Sequence, residues 1–204
     1  MDPWLLRLCI FFLVGYALGS LPAAVPVARL CGVSILSCGS GNPGATNVCR
    51  CLGRRMGWLV FVLDAAKGCA AAYLPLHFSD PPCAIAGLSG AILGHGFSPL
   101  LRFRGGKGVA VTVGGLAVWM PNVLSIGVLT WLAVFAATRF VSLASLCLAL
   151  TLPLCSYLFG RTFGENCFTA ALAAFLILRH RANIRRLLAG TEHRFAGAGG
   201  EEKN

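Results

Sequence analysis

The chain has 204 residues, of which 57% are hydrophobic and 12% are charged, and its formal net charge is +10. Soluble domains carry about 25% charged residues, so this composition excludes an ordinary soluble domain and indicates an integral membrane protein. The basic residues lie in short connectors beside apolar runs. Membrane orientation and anion binding explain them better than nucleic acid does, so we expect no nucleic-acid partner.

Seven apolar stretches bounded by polar residues follow one another along the chain. Two of them are short for a bilayer core, which needs about 20 helical residues. Residues 108–138 could form one helix, but it would be about 46 Å long, so we expect a turn at Met120–Pro121–Asn122 instead. The predicted spans lie near 4–27, 57–76, 83–100, 108–120, 122–138, 141–159 and 167–178.

The sequence therefore predicts an all-α integral membrane protein with a single membrane domain over residues 1–204. About seven transmembrane helices are expected, with five as the fallback, since both counts satisfy the distribution of charge. The connectors near 77–82 and 121–122 contain no Lys or Arg, whereas the opposite connectors and the tail over 179–204 contain many. The positive-inside rule then places the N-terminus outside and the basic tail in the cytoplasm.

The first of three glycine-and-basic segments is GSGNPGATNVCR, residues 39–50. Its glycines allow backbone N–H groups to converge on an anion, and Arg50 adds a planar fork of donors, an arrangement that suits a phosphate. The alternative is a flexible, hydrated loop. The short polar donors of the segment are Ser40, Asn42, Thr46 and Asn47, and Gly41 lies between the first two.

The second segment, FRGGKG (103–108), sets Lys107 between Gly106 and Gly108. Bare glycine neighbours allow a ligand to approach the lysine ammonium closely, which again suits a phosphate. The alternative is that Lys107 contributes only to membrane orientation. His95, upstream in the run GHGFSP, could join this site or could simply be hydrogen-bonded within the fold.

The third segment, RHRANIRRLLAGTE (179–192), places His180 and Asn183 three residues apart, so on a helix they share one face. A neutral histidine can accept a proton or orient a hydroxyl, and the asparagine can donate to an oxyanion or phosphate oxygen. Glu192 is expected to be a structural counter-charge among the arginines. The alternative is a basic amphipathic tail that lies on anionic lipid.

Asp64 and Lys67 lie at helical i, i+3 spacing inside the second predicted span. Ionisable groups at that depth are costly and seldom face lipid. They could pair with each other or line the floor of a polar pocket, and the sequence leaves both possibilities open.

The ten cysteines lie mostly in apolar surroundings, where cysteine behaves as a small hydrophobic residue. Cys49 and Cys51 form a C-x-C pair, but no second Cys/His pair at ligand spacing accompanies it, so we interpret both as packing residues. We expect no metal and no cofactor. The chain also lacks the H-x4-D, G-x-S-x-G and H-E-x-x-H patterns, so a conventional triad or metal-centred mechanism has few available parts.

In this order, the runs GSGNPGATNVCRCLG, GHGFSPLLRFRGGKGVA and RHRANIRRLLAGTEHRF resemble the acyl-phosphate:glycerol-3-phosphate acyltransferase family of bacteria. The runs at 19–24 and 63–68 match its flanking pattern. The resemblance implies a seven-helix, multi-pass enzyme of the cytoplasmic (inner) membrane, with its active site facing the cytoplasm. It implies transfer of a fatty acyl group from acyl phosphate to the 1-hydroxyl of glycerol 3-phosphate, which forms lysophosphatidic acid and phosphate in the first acylation step of phospholipid synthesis.

The resemblance also implies roles for individual positions. The expected catalytic residues are Ser40, Arg50, Lys107, His180 and Asn183. The expected substrate- and phosphate-binding residues are Gly41, Asn42, Thr46, Asn47, Gly105, Gly106 and Gly108, joined by Lys67, with Glu192 structural. The expected partners are the two substrates, membrane lipid and the enzyme that supplies acyl phosphate.

Two positions depart from the family pattern. Ser98 stands where the family usually has proline, and Val111 stands where threonine is common. Both lie beside the second segment, so they bear on local geometry more than on reaction type. We expect direct acyl transfer without a covalent acyl-enzyme, because acyl phosphate is already activated.

The main alternative function is a membrane transporter of organic phosphates, because transporters also place cations near glycine breaks. The clustering of the cations on one face, and the lack of a convincing repeat between the two halves of the sequence, argue against it.

Overall fold

Ten α-helices and two short 3-10 turns make up most of residues 2–195, the part of the chain that the computed structural model describes. The predicted all-α class is confirmed over that range. The helices are α1 (Pro3–Ser20), α2 (Ala24–Leu30), α3 (Ala45–Leu52), α4 (Arg54–Phe78), α5 (Pro81–Gly96), α6 (Val109–Trp119), α7 (Pro121–Thr138), α8 (Val141–Leu158), α9 (Phe163–Arg179) and α10 (Arg181–Leu188). The 3-10 turns are Ile35–Ser37 and Pro99–Leu101.

Within residues 2–195, five helical stretches are long and apolar enough to cross a membrane. The predicted spans near 108–120 and 167–178 correspond to α6 and α9, which have 11 and 17 residues. At 1.5 Å per residue α6 is only about 16 Å long, against about 30 Å for a hydrocarbon core. Helix length alone therefore supports the fallback count of five. The five stretches are Pro3–Leu30, Arg54–Phe78, Pro81–Leu101, Pro121–Thr138 and Val141–Leu158.

The chain divides into two compact units, and the first ends at Pro121. Small residues let its helices pack backbone against backbone. A Cβ added to Gly15 on α1 would overlap the carbonyl oxygen of Gly87 on α5, and one added to Gly68 on α4 would overlap that of Val111 on α6. Such close approach is the usual way in which membrane helices associate, since apolar burial gives little driving force within lipid. These two interfaces build the frame that carries the first and second segments.

The second unit begins at Asn122 and contains most of α7 and all of α8, α9 and α10. The indole Nε1 of Trp131 on α7 donates to Ser145 Oγ on α8 at 3.2 Å. A capping box starts α9: Thr162 Oγ1 accepts from the Glu165 backbone N–H, and Glu165 Oε2 accepts from that of Thr162. The short helix α10 packs against both α8 and α9, and it carries the third segment.

Candidate active site

The first segment forms a tight loop that leads into α3. Gly39 and Gly41 adopt positive φ angles of 56° and 67°, a region that glycine enters without the steric cost of a Cβ. Buried apolar side chains hold the two flanks of the loop, with Ile35 before it and Val48 within α3. The polar side chains that stay accessible on this loop are those of Ser40, Asn42, Thr46 and Arg50.

Asn47 organises the interior of this loop. Its side chain is only 2% exposed. The amide Nδ2 donates to the carbonyl oxygens of Ile35 at 3.3 Å and Cys38 at 3.0 Å, and Oδ1 accepts from the Ser40 backbone N–H at 2.8 Å. One buried amide thus joins three backbone groups that lie outside the α-helices. Direct contact between Asn47 and substrate stays a prediction.

A disulfide closes the first segment, because Cys38 is bonded to Cys51 with their Cα atoms 6.3 Å apart. Our interpretation of Cys51 as a packing residue was therefore wrong. Cys49, the other cysteine of the C-x-C pair, is a free thiol. The pairing depends on the loop returning to its own starting point, and no local pattern reports that return. The only sequence signal was position, since the two cysteines lie immediately before and after residues 39–50.

The second segment lies against the C-terminal end of α5. The Gly105 and Gly106 backbone N–H groups donate to the carbonyl oxygens of Gly96 and His95, at 3.1 Å and 3.0 Å. A Cβ on Gly105 would overlap the His95 carbonyl oxygen, and one on Gly106 would overlap the imidazole ring of the same residue. Both glycines are therefore required by close approach. The docked turn carries Lys107, whose side chain is half-buried.

The connector ahead of Lys107 has an unusual backbone. Arg102 and Phe103 have positive φ angles of 51° and 61°, and Gly108 has one of 93° where α6 begins. Left-handed conformations cost energy in residues other than glycine and persist only where the surroundings hold them. Here the Phe103 N–H donates to the Ser98 carbonyl oxygen at 2.9 Å. The sharp reversal brings the second segment back onto α5.

A buried ionic cluster lies beneath the second segment. Lys67 Nζ is 2.6 Å from Asp64 Oδ1 and donates to the Leu21 carbonyl oxygen at the end of α1, also at 2.6 Å. His95 Nδ1 lies 3.7 Å from the same Asp64 oxygen. Asp64 and Lys67 therefore pair with each other, which is the first of the two possibilities that the sequence left open. Phosphate binding by Lys67 stays a prediction.

Ser98, one of the two departures from the expected pattern, joins two helices by a hydrogen bond. It is 1% exposed, and its hydroxyl donates to the Ser20 carbonyl oxygen at 2.6 Å. Next to it, the Tyr16 hydroxyl donates to the Phe97 carbonyl oxygen at 2.8 Å. Two hydrogen bonds thus fasten the chain just after α5 to α1, where a proline at position 98 would offer no hydroxyl.

In the third segment, His180 marks the break between two helices. It follows the last residue of α9 and precedes the first of α10. The single helix that we expected to contain both His180 and Asn183 is therefore interrupted at His180. His180 is 2% exposed, and its Nδ1 lies 2.8 Å from the Leu176 carbonyl oxygen. A carbonyl can only accept, so Nδ1 carries the proton, and in a neutral ring Nε2 is then the acceptor nitrogen.

Glu192 connects the third segment to α8. One carboxylate oxygen, Oε1, accepts from Ser142 Oγ and Asn183 Nδ2, both at 2.7 Å. The other, Oε2, is paired with Arg186 Nε at 2.7 Å. Burial alone would raise the pKa of Glu192, but these hydrogen bonds and the Arg186 charge together bring it below its ordinary value. The carboxylate therefore stays ionised and fixes the Asn183 side chain.

The structure brings some predicted residues together within each unit. In the first unit, α4 packs against both α3 and α6, so one helix supports the first segment and the helix that follows the end of the second. In the second unit, His180, Asn183 and Glu192 lie at the α9–α10 break. No three His, Cys, Asp or Glu side chains within residues 2–195 lie close enough together to hold a metal ion.

Residues 9–190 match the family described as glycerol-3-phosphate acyltransferase. The glycerol-3-phosphate acyltransferase 2 of Moorella thermoacetica is 43% identical over 192 residues, which cover 94% of this chain and 97% of that protein. The glycerol-3-phosphate acyltransferase of Aquifex aeolicus is 38% identical over 182 residues, which cover 88% and 95%.

Two crystal structures of PlsY (YgiH), an integral membrane glycerol 3-phosphate acyltransferase, have the same fold. The glycerol 3-phosphate form is 37% identical, with a TM-score of 0.88 over 93% of this chain and 96% of that one. The lysophosphatidic acid form is also 37% identical, with a TM-score of 0.86 over 93% and 95%.

Proposed function

Because the chain belongs to the glycerol-3-phosphate acyltransferase family, we propose that it transfers a fatty acyl group from acyl phosphate to the 1-hydroxyl of glycerol 3-phosphate. The products are lysophosphatidic acid and inorganic phosphate. The observation that carries this proposal is the family match over residues 9–190, which includes the first two glycine-and-basic segments and all but the last two residues of the third. The transporter alternative receives no support from that match.

The first segment binds a phosphate group at the head of α3. The loop offers the Ser40 hydroxyl, the short polar side chains of Asn42 and Thr46, and the positive end of an α-helix. Arg50 is half-buried in the last turn of α3, and no carboxylate within residues 2–195 forms an ion pair with it. Its guanidinium is therefore available for bidentate contact with phosphate oxygens.

The second segment supplies a fixed cation. The hydrogen bonds and close packing of the glycine turn on His95 restrict where the Lys107 ammonium can go. A positioned cation neutralises the phosphate charge of glycerol 3-phosphate in the ground state and the transition state alike, so Lys107 contributes to substrate binding. Asp64 and His95 support this turn from below and act as positioning residues.

The third segment binds and orients the reacting hydroxyl. His180 Nε2 accepts a hydrogen bond from the 1-hydroxyl of glycerol 3-phosphate, while Asn183, fixed by Glu192, donates to a reacting oxygen. The hydroxyl oxygen attacks the acyl carbonyl carbon, a new C–O bond forms, and the bond to the phosphate oxygen breaks. The hydroxyl proton goes to His180 or to a phosphate oxygen of the substrates, and phosphate leaves with the bonding electrons.

The membrane arrangement follows from charge. The three segments lie in connectors that contain many Lys and Arg residues, whereas the connectors near 77–82 and 121–122 contain none. We propose seven crossings in a bacterial cytoplasmic (inner) membrane, with α6 and α9 as the two short ones, the N-terminus outside and each of the three segments on the cytoplasmic side. Cysteine labelling that maps any segment to the outer face would contradict this arrangement.

The decisive assay uses purified protein in detergent with acyl phosphate and glycerol 3-phosphate. Phosphate release must require both substrates. If vesicles instead took up glycerol 3-phosphate without turnover, the transporter alternative would be correct.

Two variants separate binding from membrane orientation. Lys107→Ala should raise the KM for glycerol 3-phosphate, because it removes a phosphate contact. Arg104→Ala removes the same charge from the same connector, and serves as the matched control with a normal KM. Equal effects of the two variants would mean that Lys107 contributes only to orientation.

His180→Gln tests the proton acceptor. It keeps a hydrogen-bonding side chain but cannot take up a proton. Loss of turnover in a correctly folded protein assigns the proton to His180, whereas retained turnover assigns it to a substrate phosphate.

A further inference from the structure

The disulfide between Cys38 and Cys51 encloses residues 39–50 and nothing more. Those residues are the first glycine-and-basic segment. The covalent ring therefore coincides with the loop that offers phosphate-binding groups. Neither cysteine has a part in acyl transfer, and the proposed reaction leaves the bond unexplained.

The bridge is in direct contact with the groups that shape the loop. A Cβ built on Gly39 would come within 3.2 Å of Cys51 Sγ, so the sulfur packs against the first glycine turn. On the other side, the Cys38 carbonyl oxygen accepts from Asn47 Nδ2 at 3.0 Å. The same asparagine fixes the Ser40 backbone N–H. The bridge, the glycine turn and the Asn47 network are therefore one mechanical unit.

The bridge is also open to exchange with an external thiol. Cys38 and Cys51 are half-buried rather than enclosed. The neighbouring free thiol is Cys49, and burial raises its pKa despite the opposing charges of Arg54 and Arg50. A protonated thiol is a poor nucleophile, so Cys49 is not disposed to scramble the bond from within. Reduction must come from outside the loop.

We propose that Cys38 and Cys51 form a thiol–disulfide site, at which reduction by a small or protein dithiol lowers the affinity of the loop for glycerol 3-phosphate. This inference rests on the proposed phosphate-binding role of residues 39–50. A thiolate of the dithiol attacks one sulfur and the S–S bond breaks. The other cysteine leaves as a thiolate and takes up a proton. The second thiolate of the dithiol then attacks the dithiol sulfur of the mixed disulfide, and the remaining cysteine leaves as a thiolate that is also protonated. Two electrons pass to the protein, both cysteines end as thiols, and the dithiol becomes a disulfide.

The direction of the effect follows from chain entropy. Opening the ring returns conformational freedom to the loop, so a smaller fraction of molecules holds it in the binding conformation. The apparent dissociation constant rises by the inverse of that fraction. If only about a tenth of molecules keep the ordered loop, the affinity falls about tenfold.

The test measures glycerol 3-phosphate binding by calorimetry in detergent, before and after dithiothreitol. Differential alkylation and mass spectrometry report the state of each cysteine. We expect a bonded pair in the oxidised protein and a dissociation constant about tenfold higher after full reduction. Unchanged affinity between confirmed oxidised and reduced states overturns the inference. Alkylation of both cysteines after oxidation with diamide also overturns it, because the pair then does not form.

Variants provide the controls. Cys38→Ser should bind glycerol 3-phosphate weakly both with and without dithiothreitol. Cys49→Ser should show the same rise in the dissociation constant on reduction as the wild type. The wild-type comparison remains decisive if the first variant fails to fold. Turnover measured in parallel separates the two ideas: redox-sensitive binding without acyl transfer contradicts the proposed function, and transfer with redox-insensitive binding contradicts only the thiol–disulfide site.

Discussion

Gly105 and Gly106 pack closely on His95, which makes Gly106→Ala an informative substitution. The added Cβ would overlap the imidazole Nε2 and approach the ring carbons Cε1 and Cδ2 at 2.9 Å and 3.0 Å. The ring has little space to retreat, since it is only 8% exposed and faces Asp64. Gly106 does not have a positive φ, so alanine causes no backbone strain of its own. The turn must therefore shift, and it takes Lys107 with it.

The expected magnitude is the loss of one charge-assisted hydrogen bond to phosphate. Such a bond contributes about 1.5–3 kcal/mol. At 1.4 kcal/mol per factor of ten, the KM for glycerol 3-phosphate should rise roughly tenfold to 150-fold. The kcat should change little, because the lost contact is made in the ground state and the transition state alike. Steady-state kinetics with acyl phosphate at saturation measure both constants.

Two further variants control this experiment. Gly90→Ala creates a similar overlap, with the Phe12 carbonyl oxygen between α5 and α1, and should lower thermal stability while leaving KM normal. In a His95→Ala background the ring is gone, so Gly106→Ala should cost less than it does alone. A normal KM in folded Gly106→Ala protein, or an undiminished cost in the double variant, would refute the steric argument.

Three other substitutions test the frame around the site by thermal unfolding in detergent. Gly68→Ala forces a Cβ into the Val111 carbonyl oxygen and should destabilise the protein by about 1–3 kcal/mol; an unchanged midpoint would contradict the tight α4–α6 contact. Ser98→Ala removes the hydrogen bond to Ser20 and should cost about 0.5–1.5 kcal/mol, whereas Ser98→Thr, which keeps the hydroxyl, should cost less. The pKa of Glu192 is lowered in the folded protein, so its stabilising effect is present above the ordinary carboxyl pKa and is lost as the pH falls below it. Glu192→Gln should therefore lower the free energy of unfolding by about 1–3 kcal/mol at neutral pH and make it depend less on acid pH. Identical pH profiles of the variant and the wild type would exclude this role.

The buried ionic cluster distinguishes the environment of Lys67 from that of Lys107. Lys67 is held by Asp64 and by a carbonyl oxygen at the end of α1, so its charge is already compensated inside the helix bundle. A buried pair of this kind adds little net stability, but removal of one partner costs several kcal/mol, about 3–5, since the other charge is left uncompensated. The cluster thus stabilises the geometry of the fold beneath the second segment.

The sequence alone determined the class of protein and the chemistry that it offers. Long apolar stretches form helices in lipid because each backbone N–H and C=O must be satisfied within its own segment, and that requirement is local. The break between α6 and α7 also followed from local signals, the proline at position 121 and the excessive length of an unbroken helix. Side-chain chemistry is local as well, so the glycines that flank Lys107 and those that precede Arg50 in the first segment predict anion binding from the sequence alone.

The tertiary structure decided the contacts that join distant parts of the chain. Lys67 is bonded to a carbonyl oxygen 46 residues earlier, and Ser98 to one 78 residues earlier. Cys51 pairs with Cys38 only because the loop between them returns to its starting point. Each of these pairings depends on how helices cross and on which backbone groups remain unsatisfied where they meet. Neither quantity is encoded in the spacing of residues along one segment, because both arise from the packing of several segments together.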